Sequence, residues 1–202
     1  RHEPRGTRDE LELALLELET AVKPWPLSRL CSTQYRARHD SGARRVSAIE
    51  LGVIHCTQGP TARGAASWFA NPSSAGSAHD VADALECFRT LPPSRIPWGA
   101  PGVNGRGWHL ELAGFAEWSR EEWLRHAGTL RRGAFKLAWN GRGRFPMVRL
   151  TRAELAGGRK KGVVGHADAS AVYGGSHWDP GPHFPWDVFM TAARAYAKAL
   201  AR

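Results

Sequence analysis

The sequence predicts an α/β fold built on one central β-sheet of mixed strand direction, flanked by helices. Three observations carry this. "AIELGVIHCT" (residues 48–57) is a short run of branched apolar side chains, which suits a buried strand. "SREEWLRHAGTLRRGAFKLAW" places Ser119 three residues before Glu122, a capping-box pattern that predicts a helix from Arg120 to Trp139. Short strand-like and longer helix-like stretches then alternate to the end of the chain, which is the order of a layered α/β domain. At 202 residues the chain can bury one good core.

The elements follow in order. Residues 7–22, "TRDELELALLELETAV", repeat Leu at helical spacing behind acidic residues, so an amphipathic helix is expected. Residues 23–47 are basic, proline-bearing and aperiodic, as in a linker or a strap laid across the core. The first strand then ends near His55. "TARGAASWFANP" reads as a helix closed by Asn71-Pro72, and "SAHDVAD" alternates as a second short strand. "TLPPSRIPWGAPGVNGRG" has the proline and glycine content of a long surface loop. "WHLELAG" alternates as a third strand, "TRAEL" opens a short capped helix, and "GVVGHAD" reads as a strand edge. "ASAVYGGS" reads as an extended loop, and "PWDVFMTAARAYAKAL" as a closing helix with Pro185 near its start. The division expected is an N-terminal helix with a basic linker or strap over 1–47 and a catalytic domain over 48–202.

Composition narrows the function. No run of eighteen apolar residues exists, so no membrane-spanning helix is expected. Three cysteines without CxxC spacing argue against a disulfide framework and against a thiolate zinc knuckle, and they fit production in a reducing cytosol. Arg1 leads the chain without an apolar signal core, consistent with a processed or excised piece. The net charge of +9 favours a polyanionic partner, either nucleic acid or an anionic cell wall. Nine tryptophans suit sugar faces or bases equally. A basic nucleic-acid-binding protein is therefore one reading, but no RRM aromatic motif or paired zinc-finger ligands accompany the charge.

The densest chemistry lies in "SHWDPGPHFPWD" (residues 176–187), where Asp179 stands beside Pro-Gly-Pro. An ordinary Asp-Pro-Gly turn explains that tripeptide locally. A second reading is a ligand mount, since His55 and His166 also stand at strand ends, where a rigid sheet hands over to exposed loops. Two imidazoles and one carboxylate make the three-protein-ligand set of a catalytic zinc site and leave one position open. The local alternative for each histidine is a hydrogen-bonded structural residue.

"IHCTQG", "SAHDVAD", "HLELAG", "GHAD" and "DPGPHFPW", in that order over residues 48–190, resemble the zinc-dependent N-acetylmuramoyl-L-alanine amidases found in bacteriophage endolysins. That family shares its fold with peptidoglycan recognition proteins. The resemblance implies that His55, His166 and Asp179 hold Zn2+. Asp168 and His183 are fallback ligands beside their ordinary readings as a helix or turn cap and a surface residue, and Cys56, adjoining His55 in a strand, should point to the opposite face, into the core. The resemblance also implies a proton-transfer role for Glu111 in "HLELAG". His177 stands where relatives commonly carry Lys, so an oxyanion-stabilising role falls to an imidazole. His79, Trp98 and Asn104 sit where the family lines its substrate cleft. The expected partners are peptidoglycan and anionic wall polymers, the latter met by a basic rim from "AFKLAWNGRGR" and "GGRKK", with no nucleic acid or membrane. The expected state is a monomer made in the host cytoplasm and acting on the cell wall after release, during lysis. A non-catalytic peptidoglycan-binding module is the alternative on the same fold.

Overall fold

In the computed structural model, which describes residues 31–201, five strands form one sheet in the order β3-β2-β4-β1-β5. They are β1 (Leu51–Cys56), β2 (Asp80–Ala82), β3 (Cys87–Arg89), β4 (Gly107–Leu112) and β5 (Gly162–Gly165). β1 pairs in parallel with β4 and β5, β2 pairs in parallel with β4, and the edge strand β3 runs antiparallel to β2. The sheet is thus mixed, as expected. Every residue of β1 is buried, which explains its near-continuous apolar sequence: both faces of a central parallel strand are covered.

Parity along the strands divides the two faces. Ile54, Cys56, Trp108, Leu110 and Leu112 pack with Leu130, Leu137, Phe189 and Ala193 into the main core. The second group comes from the helices α3 (Ala127–Gly141) and α6 (Trp186–Leu200). Residues of the other parity, Leu51 and Val53, pack with Val103, Leu150, Leu155 and Ala169. That side carries the short helices α4 (Arg152–Ala156) and α5 (His166–Tyr173), with α1 (Ala62–Phe69) over β2 and β3.

Several expectations need correction. The helix from Arg120 to Trp139 is two, α2 (Arg120–Arg125) and α3, broken at His126, whose ring stacks on Trp118 with centroids 4.3 Å apart. The Ser119 cap is present, accepting from the Glu122 N–H at 3.2 Å, so cap chemistry was legible where the break was not. "ASAVYGGS" is mostly helical within α5, because the chain turns directly from β5 into a helix at His166. β3 was not anticipated: three residues are too few for a periodic signal. Lys136 of the expected basic rim points inward and pairs with Asp80 at 3.1 Å. The helix expected over 7–22 lies outside the described residues.

The reading against a disulfide is also corrected. Cys31 and Cys87 are bonded across 56 positions. Local spacing cannot report such a pair. It forms because Ser32 bridges to Phe88, laying the chain beside β3. Residues 31–44 continue along the domain: Ala37 N–H donates to Thr90 O, Arg38 N–H to Phe69 O, and Arg44 to the carbonyls of Pro93, Asn104 and Gly105. Cys56 remains as a buried free thiol among the core residues, where burial pushes its pKa up.

One buried charge cluster ties the main core together. The Asp80 carboxylate accepts from Arg89 at 2.8 and 3.0 Å and faces Lys136. Burial alone would raise its pKa, but Lys136 and Arg89 outweigh that and hold it below the ordinary value. Asp80→Asn leaves Lys136 buried without its counter-ion, so a loss of about 3–5 kcal/mol is expected. Urea unfolding monitored by circular dichroism checks it.

Candidate metal centre

The register of β1 against β4 sets His55 directly beside Glu111, on the same face and one residue from the C-terminal end of each strand. β5 ends at Gly165, and the next residue, His166, is the first of α5. Asp179 arrives from the 174–185 loop, where its carbonyl accepts the Ala167 N–H at 2.9 Å and so fastens the loop to the first turn of α5. Asp179 precedes Pro180 in a cis peptide, and Gly181 takes a positive φ of 99° to complete the turn. The turn thus fixes the place of Asp179 at the first turn of α5.

Three groups far apart in the chain converge here. His55 Nδ1 lies 3.1 Å from His166 Nδ1 and 3.3 Å from Asp179 Oδ2, and His166 Nδ1 lies 3.0 Å from Asp179 Oδ1. Ligands about 2.0–2.1 Å from a tetrahedral cation stand about 3.3–3.4 Å apart, so the set closes on one small ion with little adjustment. The donor types fit as well: two imidazoles and one carboxylate, all buried. Burial pushes the His55 pKa down, leaving the neutral ring that coordination requires. For Asp179 burial pushes upward, but hydrogen bonds and charge from His166 and His55 prevail and keep it well below the carboxylate range. A divalent cation in this position would meet an ionised carboxylate and, once the imidazole protons lie on Nε2, two lone pairs.

Glu111 Oε1 is 4.0 Å from His55 Nδ1, and its Oε2 is buried with no hydrogen-bond partner among the described residues. Burial first, and the negative Asp179 second, push its pKa well above the ordinary value. His177 sits at the exposed rim, its ring stacked on His166 at 4.3 Å, with Nδ1 3.8 Å from Asp179 Oδ1. The fallback ligands stand apart. Asp168 caps α5 through the Gly165 N–H and pairs with Arg149 and Arg152, while His183 is exposed outside the cluster.

The centre forms the floor of a groove of about 630 Å³. Trp98 lines it, its indole stacked on His39 at 4.8 Å and its Nε1 donating to Ser41 Oγ. His79 and Asn104 do not line the groove: His79 is fully buried behind His109, and Asn104 accepts the N–H groups of Gly99 and Ala100 to shape the loop. Two residues not singled out in the sequence matter here. Trp68 is half exposed on the groove wall, on the side of α1 opposite the buried Ala62, Ala66 and Phe69. His109 lies two residues before Glu111 and so on its face; that shared parity was the available signal.

A family model described as N-acetylmuramoyl-L-alanine amidase matches residues 45–182. A comparison with curated proteins finds no match. Among solved structures, the Staphylococcus aureus hydrolase AmiA in complex with its ligand aligns over 100% of this chain and 96% of its own, with TM-score 0.66 and 18% identity. A mutant endolysin from Bacillus subtilis aligns over 81% of this chain and 98% of its own, with TM-score 0.54 and 15% identity. The catalytic domain of XlyA gives 81% and 99%, TM-score 0.53 and 17% identity. At such identities these likenesses speak to the fold.

Two outcomes are expected. A divalent cation at about 100 times its dissociation constant stabilises the folded chain by about 2.7 kcal/mol, and Asp179→Ala removes that gain. Thermal unfolding with and without chelator checks this. In the metal-free protein Glu111 keeps its proton above pH 4.5, where the unfolded chain has released it. Its contribution to stability is full below about 4.5 and is lost as pH rises toward the folded value. Glu111→Gln flattens that slope in a pH series of denaturant midpoints.

Proposed function

The chain belongs to the N-acetylmuramoyl-L-alanine amidase family, and from that premise we propose that it uses one zinc ion to hydrolyse the amide bond between N-acetylmuramic acid and L-alanine in bacterial peptidoglycan. The observation that carries the proposal is the closure of His55, His166 and Asp179 on a single point at the groove floor, with Glu111 beside it.

His55 and His166 would hold the ion through Nδ1 and Asp179 through its carboxylate. When bound, zinc supplies a Lewis acid and lowers the pKa of a water toward ~7. The remaining work falls to the protein. Glu111, buried and strongly proton-binding, is placed to take a proton from the attacking water and return it to the leaving amine. His177 at the rim can donate one hydrogen bond to the oxygen that becomes negative. Trp68 and Trp98 offer exposed aromatic faces to a sugar or peptide lying in the groove. The +9 charge would draw the enzyme toward anionic wall polymers and weaken that attraction as salt rises.

An endolysin role, in which the enzyme acts on the host wall at lysis, is the biological setting we infer for this chemistry. Its support is the order of the site motifs together with an endolysin among the structural likenesses. A non-catalytic wall-binding module is less well supported, because a complete ligand set and an adjacent buried carboxyl group, whose Oε2 has no hydrogen-bond partner among the described residues, have no use in binding alone.

Digestion of purified peptidoglycan should release new N-terminal L-alanine without new reducing sugar. Glu111→Gln should lower kcat about 10²–10⁴-fold while zinc content stays at one per chain. New reducing ends in place of free L-alanine amines would overturn the assignment of the bond.

A further inference from the structure

We propose that His109 is a positioning residue for the metal centre: its Nδ1 accepts the Nε2–H of His55 and thereby keeps the Nδ1 lone pair of His55 turned toward Asp179 and His166. The proposal rests on the reading of a zinc site above, and it concerns a residue outside the ligand set.

A neutral imidazole carries one proton on one of two nitrogens. For His55 the choice decides whether the site can bind a cation, because Nδ1 faces Asp179 at 3.3 Å and would donate to it if protonated. Moving the proton to Nε2 frees Nδ1, but a buried N–H needs an acceptor. His55 is 2% exposed, and the acceptor in reach of its Nε2 is His109 Nδ1 at 3.0 Å. Ligating histidines ordinarily give this second N–H to a carboxylate, a carbonyl or water; here another imidazole takes it. The two ligands differ in this respect, since His166 Nε2 is buried with no partner among the described residues.

The main chain of His109 is fixed by His79, while its ring Nε2, which carries the proton when Nδ1 accepts, is buried with no hydrogen-bond partner among the described residues. Its main-chain N–H donates to His79 Nδ1 at 2.9 Å and its carbonyl accepts the His79 N–H at 3.1 Å. A main-chain N–H can only donate, so His79 Nδ1 accepts, while its Nε2 stands between the Arg95 carbonyl at 3.1 Å and the Arg44 guanidinium at 2.8 Å. Around the His109 ring, Gly99 and Gly107 leave no room for a Cβ, which would collide with the imidazole from either side. The ring therefore packs directly against the loop at Gly99 and the start of β4 at Gly107. His79 belongs to this arrangement, as the support of His109.

Two variants and one spectrum test the inference. His109→Leu fills the seat without an acceptor, whereas His109→Asn returns an oxygen close to the Nδ1 position. Zinc affinity, measured by competition with a chromogenic chelator, should fall about 10–100-fold in His109→Leu and recover most of that loss in His109→Asn. In zinc-loaded wild type, ¹⁵N NMR of the imidazoles should show His55 protonated at Nε2 and His109 bare at Nδ1, a readout that does not depend on either variant folding. Undiminished affinity in His109→Leu, equal loss in both variants, or a His109 ring protonated at Nδ1 each overturns the positioning role while the zinc reading stands. A wild-type protein that takes up no zinc overturns both.

Discussion

The parallel pairing of β1 with β4 is the constraint on which the rest depends. That register makes His55 and Glu111 neighbours across the ladder, and because side chains alternate along a strand it also puts His109 on their face. A slip of one residue would send His55 into the core that Ile54 and Cys56 now fill. The candidate metal centre is thus held in place by the same alternation that builds the hydrophobic core. Its position at the carboxyl ends of parallel strands follows the general rule for open α/β sheets, where chains diverge into loops and leave a crevice.

Electrostatics separates the site from the surface. The chain is strongly basic overall, but the groove floor concentrates two carboxyl groups and two histidines in a buried setting. Glu111 and Asp179 respond to that setting in opposite senses. Asp179 is held ionised by the imidazoles that touch it, whereas burial and the negative Asp179 push the pKa of Glu111 up. Two carboxyl groups pushed apart in this way are suited to two different tasks, one binding a cation and one moving protons.

The segment over 31–44 contributes more than its linker-like composition implies. Its bonds to Thr90, Pro93, Asn104 and Gly105 fasten the loop that carries Trp98, its bond to Phe69 ties it to α1, and His39 stacks on the Trp98 indole. The groove wall therefore depends on residues that lie before the first strand. The Cys31–Cys87 bond fixes the beginning of this segment to the sheet edge. A loop of that length closed by a disulfide typically contributes about 2–4 kcal/mol through the unfolded state.

Much of this was legible in the sequence because it is encoded locally. The strand over Leu51–Cys56, the Ser119 and Thr151 caps and the closing helix after Pro185 all follow from side-chain period and cap chemistry within a few residues. The family followed from the order of short motifs around His55, Glu111, His166 and Asp179. What the sequence could not determine depends on distant partners. The Cys31–Cys87 pair, the inward turn of Lys136 toward Asp80, the buried place of His79 and the contact of His109 with His55 each join residues many positions apart. Their neighbours exist only once strand order and register are set, because a side chain's partners are chosen by packing across the sheet and not by its position along the chain.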